Sequence, residues 1–305
     1  MRSRLRATVP GVLAGLVAVL GPGPAVRAVT DAEICARGTG IPREDVLVCT
    51  RALILSTLPP ESIATLHNAR GRALRIIGEP AEARIAHDSA LAANPLSAEA
   101  YLGRAQARLD LGRRAAAQQD LGEALALSPF LAPAWRALGR TRFLDGDDAG
   151  ATSALDRALE LDPGDGEALA FRGLVHFRRS RFREALSDFR AARGRQLAYP
   201  YLPLWDWLSA RRAGLPARAA LEAASQELDA GEWPAPLLAV YLGQMDGPWL
   251  LESLRGDAAP ARVATAAFYL AQRDLVRGDP HAAAAGFSLA RDRVAEGSVE
   301  RAMLP

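Results

Sequence analysis

The sequence predicts an all-α protein, a solenoid of stacked helical hairpins, on three observations. Small residues recur every 34 positions, at Gly71, Ala105, Gly139 and Gly173, at Ala83, Ala117, Ala151 and Ala185, and at Ala90, Ala124, Ala158 and Ala192. Chain breakers keep the same step, at Gly78, Gly112, Gly146 and then Ser180, and at Pro95, Pro129, Pro163 and then Leu197. No segment shows the sustained apolar–polar alternation of strands, so no sheet is expected. A fixed period of this length marks stacked helix pairs, because one hairpin cannot bury its apolar face alone.

Residues 1–28 read as a secretory leader. Arg2, Arg4 and Arg6 form a charged start, Ala7 to Leu20 is apolar, and a breaker-rich stretch ends Ala25-Val26-Arg27-Ala28, with small residues suited to cleavage near Ala28. The apolar core is short against the ~20 residues a membrane-spanning helix needs. All 37 basic residues are arginine, and four of them lie in the leader. Without the leader, 33 arginines face 35 acidic residues, a net charge of −2. The basic isoelectric point of about 8.8 is thus largely the leader's, and it argues for neither nucleic-acid nor membrane-surface binding.

Residues 29–63 read as an N-terminal helical cap. Its two cysteines, Cys35 and Cys49, have no others to pair with in a chain that looks exported, so a disulfide is expected. The link would tie the loop around Gly38 to Pro42 onto a helix over Glu44–Ser56. Closing so short a loop stabilises by ~3 kcal/mol in the chain-entropy picture. A catalytic thiol lacks a nearby histidine and a CxxC partner, and a metal site lacks two further ligands. A lipoprotein would need a cysteine directly at the cleavage point; Cys35 follows Ala32-Glu33-Ile34 instead.

Residues 64–199 hold the four hairpins. The small residue of each first helix lets the second approach closely, the alanines of the second accept the contact, and a turn glycine takes the left-handed conformation that ends a helix. Proline then stops the second helix. Residues 200–263 leave this register and read as irregular helical hairpins, with one helix around Tyr201–Leu208, a partner over Ala217–Leu228 and a further pair over Pro234–Leu254. Residues 264–305 bring back one detached copy, with Leu270, Ala271, Gly278, Ala283, Phe287 and Ala290, and a tail.

The columns resemble the tetratricopeptide repeat (TPR) family. Residues 132–165 match best, with Trp135, Leu138, Gly139, Ala151, Leu155, Ala158 and Pro163; residues 98–131, 166–199 and 64–97 follow. The resemblance implies a right-handed superhelix whose first helices line a concave groove. Ile34 to Asp88, with Cys49-Thr50 and Asn68 to Gly71, is also similar to the start of periplasmic TPR proteins of alphaproteobacteria. The C-terminal half, through Trp205–Ala210, Val240–Gly243 and Phe268–Ala290, resembles the NlpI-type outer-membrane TPR lipoproteins, which hold peptidoglycan hydrolases against a processing protease. The lipidation cysteine of that family is absent here.

On the resemblance, the groove would be lined by Asn68, Arg72, Arg75, Gln106, Arg136, Arg140, Phe143, Phe177 and Arg178, among others, making it basic with apolar patches. It would suit a peptide carrying acidic groups or a free carboxylate. The competing reading of these arginines is a solvated face. Inside the stack, arginine at position 7 of a repeat goes with aspartate at position 23, which predicts Arg104–Asp120 and Arg172–Asp188 pairs, while Arg70 is expected to reach Asp88. His67, His87 and His176 fall on large-residue packing positions.

No nucleotide-binding loop, hydrolase elbow or metalloprotease motif is present, so no enzyme, cofactor or metal is expected. The expected function is a non-catalytic scaffold or adaptor, periplasmic or secreted, with a protein or peptide partner. Nucleic acid and stable membrane insertion after leader cleavage are not expected, and a homo-oligomer stays open. The alternative is a periplasmic enzyme or small-ligand-binding protein on the same helical scaffold.

Overall fold

The computed structural model describes residues 24–305 except 56–57, 196–198, 230, 256–259 and 296–297, and all its regular structure is helical. Seventeen helices are seen among the described residues, with no strand. They pair in chain order. A cap hairpin, α1 (Pro24–Arg37) and α2 (Pro42–Leu55), precedes the repeats α3 (Pro60–Ile76) with α4 (Pro80–Ala93), α5 (Ala98–Asp110) with α6 (Arg114–Leu127), α7 (Ala132–Leu144) with α8 (Asp148–Leu161), and α9 (Gly166–Arg178) with α10 (Phe182–Arg193). Beyond them lie α11 (Leu202–Arg212), α12 (Arg218–Gln226), α13 (Ala235–Leu242), α14 (Gly247–Arg255), the long α15 (Pro260–Arg277), α16 (Pro280–Arg291) and the single turn α17 (Val299–Ala302).

The packing explains the columns. At Gly71, Gly139 and Gly173 a β-carbon would lie 2.6 Å from His87, 2.5 Å from Leu155 and 2.7 Å from Phe189 respectively. A small residue of each first helix is therefore the seat of one large side chain of the second. His87 is wedged most tightly, since a β-carbon at Gly103 of the next repeat would also meet its ring, at 2.2 Å. It is fully buried, and neither ring nitrogen has a hydrogen-bond partner among the described residues. Burial, assisted by Arg72 and Arg75, pushes its pKa down to about 4. The imidazole is thus a neutral packing group at pH 7.

The turn column behaves as one set. Gly78, Gly112 and Gly146 have φ of 85°, 72° and 83°, and Ser180 takes the same left-handed conformation at 60°. The step of 34 goes on to Gly214, φ 72°, between α11 and α12. Leu197, the last member of the proline column, lies outside the described residues.

Cys35 and Cys49 are joined and both are buried, so α1 and α2 form a cross-linked pair against α3. Asp45 accepts the Thr39 amide at 2.6 Å and fastens the loop between them. Residues 1–23 of the expected leader lie outside the described residues, and α1 runs through Ala28. No described helix is long and apolar enough to cross a membrane.

Trp205 of α11 joins the repeats to the C-terminal helices. Its fully buried ring lies 5.0 Å from Phe177, 6.2 Å from Phe189, 6.1 Å from Phe268 and 5.7 Å from Tyr269. One aromatic seam therefore runs from α9 and α10 through α11 to α15, whose partner α16 presses Gly286 onto Ala271.

Candidate protein-binding groove

The first helices of the repeats, α3, α5, α7 and α9, supply the strip named from the sequence. A half-exposed lining of Arg75, Gln106, Leu109, Arg136 and Arg140, with Phe171 from α9, surrounds a cavity of about 80 Å³. A second cavity of about 250 Å³ continues it past Arg140, Leu144, Phe171 and Leu174 to Tyr199, Ser298 and Val299.

The expected basic groove takes a correction, because its arginines are matched by acids, most of them from a neighbouring repeat. Arg72 stands 3.7 Å from Glu99 and Arg75 stands 3.5 Å from Asp110. Arg136 donates to Asp165 at 2.8 Å and lies 3.0 Å from Glu167. Arg178 is held by Asp148 and donates to the Phe143 carbonyl at 3.0 Å. Asn68 is buried and donates to Glu99 at 3.4 Å. The same offset of 31 residues links Asn68 to Glu99 and Arg136 to Glu167, a signal the columns already contained.

Arg140 differs. Among the named groove arginines it makes no ion pair with any described residue; its guanidinium lies 5.7 Å from the centre of the Phe171 ring. A cation on an aromatic face keeps its donors free for an incoming anion. Arg140 lines both cavities.

Phe143 and Phe177 are not groove surface, which corrects the expectation of apolar patches there. Phe143 is fully buried beside Phe171, 5.9 Å away, under the Arg178 guanidinium at 4.3 Å. Phe177 is buried against Phe182, at 5.3 Å, and Trp205. Phe143 is thus covered by α9 of the next repeat, and Phe177 by α11, which follows the repeats, so residues exposed in a bare hairpin become core.

The hairpin locks form as expected, with a third member. Arg104 donates to both oxygens of Asp120, at 3.0 and 2.7 Å, and to Asp88 of the preceding repeat at 2.8 Å. Arg172 does the same to Asp188, at 2.9 and 2.7 Å, and to Asp156 at 2.9 Å. These bonds hold both guanidinium groups above their ordinary pKa. Arg70 does not take Asp88, which is occupied by Arg84 and Arg104; the buried Arg70 Nε has no acceptor among the described residues. Among the described residues, no group of three or more His, Cys, Asp or Glu is placed to hold a metal ion.

No protein-family model matches the chain, and no curated protein matches it. Solved structures do. PilF of Pseudomonas aeruginosa superposes with a TM-score of 0.57 at 16% identity, over 72% of this chain and 95% of that one. YrrB, described as a TPR protein with an unusual peptide-binding site, gives a TM-score of 0.46 at 21% identity, over 60% of this chain and 92% of that one. MamA gives 0.45 at 22% identity, over 54% and 91%. With its own 34-residue columns, the left-handed turns and the PilF superposition, the chain has the tetratricopeptide-repeat fold.

Proposed function

We propose that the chain is a non-catalytic interaction scaffold that binds a protein or peptide segment along its concave face. The observation that carries this reading is Arg140, a cation left without a carboxylate among the described residues, in a groove whose other named arginines have one. Matched pairs along the walls leave the groove near neutral, so affinity for polyanions is not its design. A single free guanidinium between two cavities suits one carboxylate, on a side chain or at a chain terminus, with apolar flanks against Leu144, Phe171 and Leu174. The buried Cys35–Cys49 disulfide supports an oxidising compartment, and with the leader-like N-terminus it supports the periplasm. Within this reading, the likeness of the C-terminal half to envelope adaptors makes regulation of an envelope protease or peptidoglycan hydrolase the finer proposal.

The test is affinity capture with crosslinking from an envelope extract, using the full chain and its Arg140→Glu variant. The scaffold reading expects an envelope protein captured by the first and lost with the second at unchanged helical circular dichroism. Equal capture by both, or a turnover activity of the purified chain without any captured partner, overturns it.

A further inference from the structure

The groove is not empty at its C-terminal end. Residues 298–305 return across it, 124 positions away from the arginine that receives them, as Arg178 Nη1 donates to the Ala302 carbonyl at 3.2 Å. The turn α17 packs on α7, and Ser298 and Val299 wall the larger cavity beside Arg140. Met303 is buried in the main core. Glu300 is buried as well, facing α15 and α11: its carboxylate accepts from the Tyr269 hydroxyl at 3.4 Å, in a cluster where Trp205 donates to Tyr199 and Trp233 donates to Tyr201. Burial raises the Glu300 pKa, the mark of an acid withdrawn from water.

A single helical turn has no stability of its own. What holds this one is what it touches: the Arg178 donor, the tyrosine hydroxyl, and the seats of Val299 and Met303. Its remaining ties are at the rim, where Arg301 donates to the Arg291 carbonyl at 2.6 Å and Arg291 to the Pro305 carbonyl at 3.0 Å. The chemistry is that of a bound peptide, with a capped turn, an acid taken in by a tyrosine hydroxyl, and two apolar side chains on the buried side.

We propose that the pocket bounded by α7, α9 and α15 is a receptor for a short helical segment carrying a glutamate between apolar residues, and that Ser298–Pro305 is its resident ligand, held in cis and exchangeable for a like segment of a partner protein. The inference rests on the groove reading and names the class of segment that the groove takes.

A fluorescein-labelled synthetic peptide of Ser298–Pro305, measured by anisotropy against the full chain, tests it. A tail docked about nine-tenths of the time weakens the apparent affinity about tenfold, so the Val299→Arg/Met303→Arg chain, its own tail released, should bind the peptide about tenfold more tightly than the parent chain. A peptide with Glu300→Lys should not bind that variant. Peptide binding no tighter to a variant that keeps its melting profile, or binding that ignores the Glu300→Lys change, overturns the inference. If the variant does not fold, the parent chain decides. Excess peptide should speed tryptic cleavage after Arg301, and an unchanged rate overturns the inference. A chain that captures a partner through Arg140 but fails the peptide assay loses only this inference; failure of both assays removes the groove reading itself.

Discussion

The junction between the second and third repeats and the junctions on either side of it solve one packing problem with opposite chemistry. On either side, an arginine of the first helix is gripped by two aspartates, Asp88–Arg104–Asp120 and Asp156–Arg172–Asp188. In between, the same three columns hold Gly122, Leu138 and Ala154, with Leu138 and Ala154 buried. The backbone does not register the exchange: α5, α7 and α9 begin at Ala98, Ala132 and Gly166, 34 apart. Hairpin spacing is therefore set by the small residues and their seated partners, and the ionic clamps are an alternative filling of one slot. Buried ion pairs confer register more dependably than net stability, because their attraction is offset by desolvation. At the next boundary the polarity reverses, with Asp206 in the arginine column 3.5 Å from Arg190 and 3.6 Å from Arg193.

Breaking one clamp should cost more than replacing it. Among the described residues, Arg172→Ala leaves Asp188, whose side chain is 8% exposed, with only the His176 ring at 3.7 Å. A loss of about 3–5 kcal/mol in equilibrium urea unfolding is expected. A loss under about 1 kcal/mol would show the clamp to be surface-like.

His87 makes the first junction acid-sensitive where the second, with Leu121 in the same column, is not. The unfolded chain protonates this ring near pH 6.5, whereas the folded chain resists until about pH 4. The stabilisation of the neutral, buried ring is complete above pH 6.5 and declines as pH falls towards 4, by about 3 kcal/mol in all. Comparing urea midpoints at pH 7 and pH 4 for the parent chain and His87→Leu isolates this contribution. Equal acid sensitivity in both would refute it.

Arg104→Ala should cost less than Arg172→Ala, about 2 kcal/mol, since Asp120 keeps Arg108 at 2.7 Å. The ranking, read from paired unfolding curves, matters more than either value. The smallest effect belongs to the exchange that copies the middle junction into the last one. Arg172→Leu with Asp188→Ala should recover most of the loss and lie within about 1 kcal/mol of the parent. A double variant as unstable as Arg172→Ala would mean that the surrounding side chains, not the slot, distinguish the two junctions.

The regular hairpins were legible because their determinants repeat. A glycine seat, an alanine column and a turn glycine each appear several times at one step, so chance is averaged away. The Arg104–Asp120 and Arg172–Asp188 pairs followed from the same columns, and the disulfide from having two cysteines and no others. Asp88 and Asp156 were missed because they belong to the preceding repeat. Glu99, Asp110 and Glu167, which neutralise the groove, were missed because they belong to the following repeat, although the constant offset of 31 could have exposed two of these contacts. Phe143 and Phe177 were read as groove lining because their columns line it in a bare array. Nothing in their own repeats announces that Phe171 and Arg178 of α9 will close over Phe143, or that Trp205 of α11 will cover Phe177.

By itself the sequence determined the helix pairs, their step and the residues at which they touch, because those contacts join neighbours in the chain and repeat at a constant separation. Only the tertiary structure decided which groove arginine stays free and that the tail comes back to fill one end of the groove. Arg178 meets Ala302 across 124 residues, and Arg140 is distinguished only by carboxylates that other arginines have already taken. Contacts of that kind occur once, at separations no period encodes, and depend on where every competing partner has gone.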